Sequence, residues 1–355
     1  MKSTGKIMDK IIVYSAINTK IRILEREFLK RQDYLNLLKM FSVAETASYL
    51  KENTPYRKLL AEIKTDIVSR RNIEDILTLN MVTNIDKLIY YFRGDYKKLV
   101  RSLCIKYEIE DLKVLARIIF NGKEPGEIEK PLSFLGKYSQ MEPEQFYKAK
   151  TIRDLIYSLK GSEFFEFLIP LNDGRRENLF RFEMALDTSY FNIIQSRRLK
   201  IFSADRYLIK KWEGLLADLY NIQWIYRGKK FYQLSPEELL NYTINFGDKL
   251  TYKDRQKMCY AKSLEEFFQM TLNSVYGFLF KKEEISTDIY MERRINRFIF
   301  YKLKLLSRKF PLSIIQTIAY IWKAELEIKD IISIIESIRY NLSSEEAKKF
   351  LVKVA

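Results

Sequence analysis

At 355 residues the chain is longer than one hydrophobic core usually extends, which predicts more than one folding unit. Its 47% hydrophobic residues supply enough apolar surface for packed cores, and 30% charged residues of both signs describe a soluble surface, which together exclude a disordered chain. The 62 Lys and Arg against 46 Asp and Glu leave a net charge of +16, a property that bears on association with acidic proteins, anionic lipid headgroups or nucleic acid and not on fold.

In chain order, Met1 to Lys20 carry a short apolar run at Ile11 to Ile17 without the longer h-region and cleavage site of a signal peptide. Ile11 to Leu38 reads as one long helix within the roughly 40 residues that precede a repeated pattern. That pattern recurs three times at a period of about 109 residues. A hydroxyl residue stands two places before an aromatic in Thr54 and Tyr56, Ser162 and Phe164, and Ser274 and Tyr276. Glu74, Glu183 and Glu292 follow, with Leu77, Leu186 and Ile295 three positions later. An acid opening an apolar helix comes last: Asp111 before Leu112, Leu115 and Ile118; Asp218 before Leu219, Ile222 and Ile225; Glu327 before Ile328, Ile331 and Ile334. Turns are predicted at Asn121-Gly122-Lys123-Glu124-Pro125-Gly126, Asn172-Asp173-Gly174, Arg227-Gly228 and Phe246-Gly247-Asp248. Short helices are predicted to begin near Glu127, Glu237 and Glu345. The last two have a serine cap and acidic first turn in Ser235-Pro236-Glu237-Glu238 and Ser343-Ser344-Glu345-Glu346. Phe278 to Ala355 holds no glycine and only Pro311, which favours helix throughout. Leu312 to Trp322, the best membrane-spanning candidate, is too short to cross a bilayer.

A repeat of this length is about one domain, so the expectation is three related all-α lobes. They are placed at 1–142, with an N-terminal helical extension, 143–252 and 253–355. Ser139-Gln140-Met141-Glu142-Pro143 breaks the pattern at the first boundary and the polar run Lys249 to Lys257 marks the second.

The absence of histidine removes Ser-His-Asp and Cys-His systems, histidine metal sites and the commonest general base. Cys104 and Cys259 form no CxxC pair and are expected reduced and buried. Neither GxxxxGK[ST] nor GxGxxG occurs. No catalytic residue, metal ligand or cofactor is therefore predicted. Glu74, Glu183 and Glu292 invite a ligand role, but triplication favours one local task inherited by each copy, such as pairing with an arginine or a buried tyrosine. Basic doublets stand at Arg70-Arg71, Arg175-Arg176, Arg197-Arg198, Arg293-Arg294 with Arg297, and Arg227 with Lys229-Lys230. Tyr220, Trp224, Tyr226 and Phe231 interleave with the last group, a composition that also suits base stacking.

Three stretches carry a family likeness. They are Asp218-Leu219-Tyr220-Asn221-Ile222, Ile225-Tyr226-Arg227-Gly228 and Leu234-Ser235-Pro236-Glu237-Glu238-Leu239. Tyr320 with Lys323-Ala324-Glu325-Leu326-Glu327-Ile328 adds to it, as does Tyr14-Ser15-Ala16 followed by Lys20, Arg22 and Leu24. In order and total length these resemble the C subunit of the V/A-type rotary ATPases, the equivalent of the d subunit of the eukaryotic vacuolar enzyme. The position of Asn221 departs, becoming Val114 in the first copy and Asp330 in the third. The resemblance implies an all-α funnel of three similar lobes about a pseudo-threefold axis. It implies a peripheral, non-catalytic rotor component at the cytoplasmic face, with no cofactor, metal, nucleic acid or small-molecule substrate. Its partners would be the D and F subunits of the central stalk and the membrane rotor ring of c/K subunits, and its task torque transmission in ATP-coupled proton or sodium transport. A socket rim for the stalk would then fall at Arg227, Lys229 and Lys230. The alternatives are a basic helical nucleic-acid-binding protein, with affinity falling steeply in salt, and a carboxylate enzyme with an enclosed acidic pocket.

Overall fold

Dense Ile, Leu, Glu and Lys with few breakers make helix the cheapest way to satisfy the backbone. Every regular element among the described residues is accordingly helical. The computed structural model describes residues 2–64, 68–124, 132, 134–139, 141–172, 178–280 and 288–353. The first copy of the pattern contains α1 (Lys2–Glu25), α2 (Arg31–Leu37), α3 (Val43–Asn53), α4 (Arg70–Ile89) and α5 (Gly94–Phe120). The second contains α6 (Ile152–Ser158), α7 (Phe165–Leu168), α8 (Leu179–Arg198), α9 (Ser203–Lys230) and α10 (Pro236–Tyr242). The third contains α11 (Tyr252–Tyr260), α12 (Leu264–Leu272), α13 (Asp288–Lys309), α14 (Ile315–Arg339) and α15 (Ser344–Lys349).

The same order of elements recurs. A short helix capped by Ser42, Thr151 or Ser263 leads into the hydroxyl-x-aromatic turn. Two long helices follow, α4–α5, α8–α9 and α13–α14. Ser235 and Ser343 cap α10 and α15 as expected, each accepting from the amide three residues on. The short helix expected at Glu127, with Pro125, Gly126, Gln140, Asp173, Gly174 and Arg175-Arg176, lies outside the described residues.

Three expectations are corrected. Ile11 to Leu38 is not one helix: α1 ends at Glu25, and the break before α2 frees the Leu29 amide to donate to the Glu327 carboxylate. Arg227-Gly228 is not a turn but lies inside α9, where any Cβ at Gly228 would strike the Leu239 side chain. The chain turns later, at Gln233, whose φ is 48°. Asp111, Asp218 and Glu327 do not open helices but lie within α5, α9 and α14, all three buried.

The chain divides into two compact units. One joins the chain ends, Met1–Tyr91 with Leu279–Ala355. There α14 is the central helix, with α1, α4 and α13 packed on it. Arg70 at the start of α4 bonds Glu336 near the end of α14 at 2.8 Å, so these two helices run antiparallel. Its core sets Tyr34, Leu37, Leu50, Tyr56 and Leu77 against Ile331, Ile334, Ile335 and Leu351. The other unit, Phe92–Phe278, packs α8 on α5 and α9, and α11 and α12 on α9. Neither cysteine is in a disulfide and both are buried, and burial pushes the Cys259 thiol up to about 12.

Candidate functional site

The hydroxyl-x-aromatic turns share one geometry. Thr54, Ser162 and Ser274 each accept, through the side-chain oxygen, from the amide two residues ahead, that of Tyr56, Phe164 or Tyr276. This local bond fixes where the aromatic ring points. The two rings that bear a hydroxyl spend it on a buried acid: Tyr276 donates to Asp218 at 2.8 Å and Tyr56 to Glu327 at 2.5 Å. The tyrosine of one copy thus serves the acid of the preceding copy, and Tyr56 of the first copy serves Glu327 of the third.

Each acid also gathers backbone donors from a distant segment. Asp111 accepts from the amides of Phe134 and Leu135 at 2.8 and 3.0 Å. Asp218 accepts, on the oxygen that meets Tyr276, from Asp248, Lys249 and Leu250 at 3.1, 2.7 and 3.2 Å. Glu327 accepts from the Leu29 amide, the Tyr34 hydroxyl at 3.1 Å and the Lys353 ammonium at 2.7 Å. The N-terminal and C-terminal segments therefore converge on one carboxylate. Burial, followed by the charge of Glu327, pushes the Tyr34 and Tyr56 hydroxyls well above their ordinary range, which keeps both as donors. Burial and Asp218 do the same to Tyr276. Three residues after each acid stand Val114, Asn221 and Asp330. Asn221 both accepts from and donates to the backbone of Ile244, whereas Asp330 accepts from Val352 and Lys353 at 2.8 and 2.9 Å. Burial pushes Asp330 up to about 6. Apolar Val114 can make no such bond, and Glu108, one turn before Asp111, instead receives the amides of Tyr138 and Ser139. Sequence reasoning missed Leu29, Tyr34, Glu108 and Lys353; only the recurring tyrosine hydroxyl hinted at a polar partner.

The repeated glutamates meet arginines. Glu74 pairs with Arg70 at 3.2 Å, and Glu183 accepts from Arg117 at 2.7 Å, tying α8 to α5. Glu292 adjoins Arg293 and shares with Glu74 a cavity of about 340 Å³ lined also by Arg70, Lys329 and Ser333. That volume would suit a small ligand, but its cations face carboxylates at comparable number. Among the described residues no group of His, Cys, Asp and Glu could hold a metal ion, and no helix is long and apolar enough to cross a membrane.

Of the predicted interface residues, Lys229 points its ammonium at the carbonyls of Cys259 and Ala261, at 2.6 and 2.8 Å, where it closes the end of α11. Burial lowers its pKa. Lys230 donates to the Tyr226 hydroxyl at 2.7 Å, with its ammonium 5.2 Å from the Tyr226 and Phe231 rings. Arg227 is partly exposed on the same last turns of α9. The structure thus brings the three to one helix end, beside exposed Phe231 and Tyr232. Members of the other described doublets work internally. Arg198 lies 2.9 Å from Glu213 in a buried pair, where burial pushes Glu213 up to about 8. Arg297 caps the carbonyls of Lys349 and Leu351.

The sequence model of a family described as ATP synthase (C/AC39) subunit matches residues 17–350. The C subunit of the A-type ATP synthase of Methanocaldococcus jannaschii is 25% identical over 357 residues, covering 98% of this chain and 88% of the relative. The proteins of that name from Methanosarcina mazei and Desulfurococcus sp. are 23% and 24% identical, covering 96% and 99% of this chain and 92% and 94% of theirs.

Proposed function

This chain belongs to the ATP synthase (C/AC39) subunit family, and we propose that it is the non-catalytic rotor component of a V/A-type ATPase or ATP synthase. In this reading it links the D and F subunits of the central stalk to the membrane rotor ring and transmits torque for ATP-coupled proton or sodium transport. It would sit peripherally at the cytoplasmic face, as three similar helical lobes, 1–142, 143–252 and 253–355, arranged as a funnel. The observation that carries the proposal is the family match along nearly the whole chain. A torque adaptor needs stiffness more than reactive groups. Buried carboxylates that each collect several donors from a remote segment supply it, because breaking one leaves an unpaired charge inside a dense core.

Arg227, Lys229 and Lys230 are proposed as part of the rim that meets the stalk, and Arg227 and Lys230 are the ones to reverse in a test because altering Lys229 would also release the end of α11. Purification of the tagged chain from native membranes should bring down the stalk and ring proteins together. Recovery of none of them, or of nucleic acid in a salt-sensitive complex, would refute the reading. Arg227→Glu with Lys230→Glu should weaken stalk capture; unchanged capture at both low and high salt would remove these residues from the rim.

A further inference from the structure

The outward face of α13 stands apart from the rest of the surface. Met291, Ile295, Ile299 and Leu303 follow one another at helical spacing and are buried on the side that meets α14. On the opposite side Tyr301 and Leu305 are 56% and 41% exposed among exposed Lys304, Arg308 and Lys309, and Leu312, just past the end of the helix, is 40% exposed. From Arg293 to Ala324 the sequence contains no Asp or Glu, yet it carries Arg293, Arg294, Arg297, Lys302, Lys304, Arg308, Lys309 and Lys323. Four of these are engaged internally. Arg293 bonds Ser333, Arg294 and Arg297 bond backbone carbonyls, and Lys323 pairs with Glu25. Lys302, Lys304, Arg308 and Lys309 make no ion pair among the described residues, although Lys302 lies over Phe298 and Lys309 over Phe310. Cations in a last helical turn complement the helix dipole, which accounts for Arg308 and Lys309. It does not account for Lys304, nor for apolar side chains left in water between the charges.

We propose that this face of α13 docks on a membrane surface through anionic phospholipid headgroups. Charge complementarity names the partner's sign, and the residue types name its class. Protein interface cores are depleted in lysine, whereas three of the four uncommitted cations here are lysines, whose long stems lie along apolar surface while the ammonium stays wet. A basic helix face with Tyr and Leu at the same level is the composition that lies in the headgroup layer. The inference stands on the charge and exposure of α13 and not on the rotary reading, so either can fail without the other.

The test is co-sedimentation of the full-length chain with phosphatidylcholine vesicles, plain or doped with phosphatidylglycerol. Binding is expected only to the doped vesicles and should fall as salt is raised. Each cation near an anionic surface contributes about fivefold in affinity, so Lys304→Glu/Arg308→Glu/Lys309→Glu should bind about a hundredfold more weakly or worse. A charge-matched control, Lys253→Glu/Lys257→Glu/Lys262→Glu on exposed positions of and after α11, should bind as the parent does. Leu305→Ser with Leu312→Ser should weaken binding while keeping its salt dependence. All altered side chains are solvent-facing, and circular dichroism is to check that each variant folds. Equal binding to both vesicle types, absence of binding to the doped ones, or equal loss in the two triple variants would overturn the proposal. Unaltered vesicle binding by the α13 triple variant would also do so, and its loss of capture of an acidic protein partner would then reassign the face to that partner.

Discussion

Glu327 accepts from four donors, those of Leu29, Tyr34, Tyr56 and Lys353, at a position with no solvent access. Replacing it with alanine leaves the Lys353 ammonium and two phenols without an acceptor, and such losses cost about 3–5 kcal/mol. Tyr56→Phe removes one charge-assisted bond and should cost about 1.5–3 kcal/mol. Phe164 at the matching place shows that the ring alone fits such a turn. Urea unfolding of both single variants and the double should reveal non-additive losses; strictly additive ones would mean the hydroxyl and carboxylate act apart. Asp330 offers a pH signature. Its folded-state pKa of about 6 lies above that of an unfolded aspartate, so the folded chain holds the proton more tightly. This contribution is full below about pH 4 and is lost as pH rises through about 6, a swing of about 3 kcal/mol. Asp330→Asn imitates the Asn221 arrangement of the second copy, and its stability should fall less than that of the parent between those values. Parallel pH profiles would sink the assignment.

At the scale of elements, what the sequence made legible was local chemistry. Serine and threonine caps, acidic first turns and the hydroxyl-x-aromatic turns depend on residues two or three apart, so their repetition could be read directly. The helix break after Glu25 could not, because the bond it permits, from the Leu29 amide to Glu327, spans 298 positions. Gly228 was misread for a related reason: it is small because Leu239 of α10 packs onto α9, not because the chain turns there. Gly247 illustrates the same constraint on a connecting segment. A Cβ at this position would collide with the Asp218 carboxylate, whose partners are the next three amides. Gly247→Ala should therefore destabilise the seat of α11 beside α9 by about 1–3 kcal/mol, the usual cost of overpacking. A thermal melt checks this, and a neutral result would mean the segment shifts without releasing Asp218.

For the whole molecule, periodicity reveals that a module recurs but not which copies embrace. Spacing alone pairs no copy with another. In the structure the acid of the third copy is served by the tyrosine of the first, and the chain ends lie in one compact unit. The candidate basic rim was legible as a cluster, yet the diversion of Lys229 to α11 was not, since nothing in the spacing marks Cys259 and Ala261 as its acceptors. This closure has a measurable consequence. If Glu327 is the point where both ends are fastened, Glu327→Ala should accelerate amide hydrogen exchange at residues 29–56 and 344–353 together, although they are far apart in sequence. Amides of the Phe92–Phe278 unit, which has its own acids Asp111 and Asp218, should keep their protection. Exchange that rises evenly along the chain would mean that the two units unfold as one. A rise confined to the C-terminal segment would mean that the N-terminal helices are held by apolar packing and not by the carboxylate.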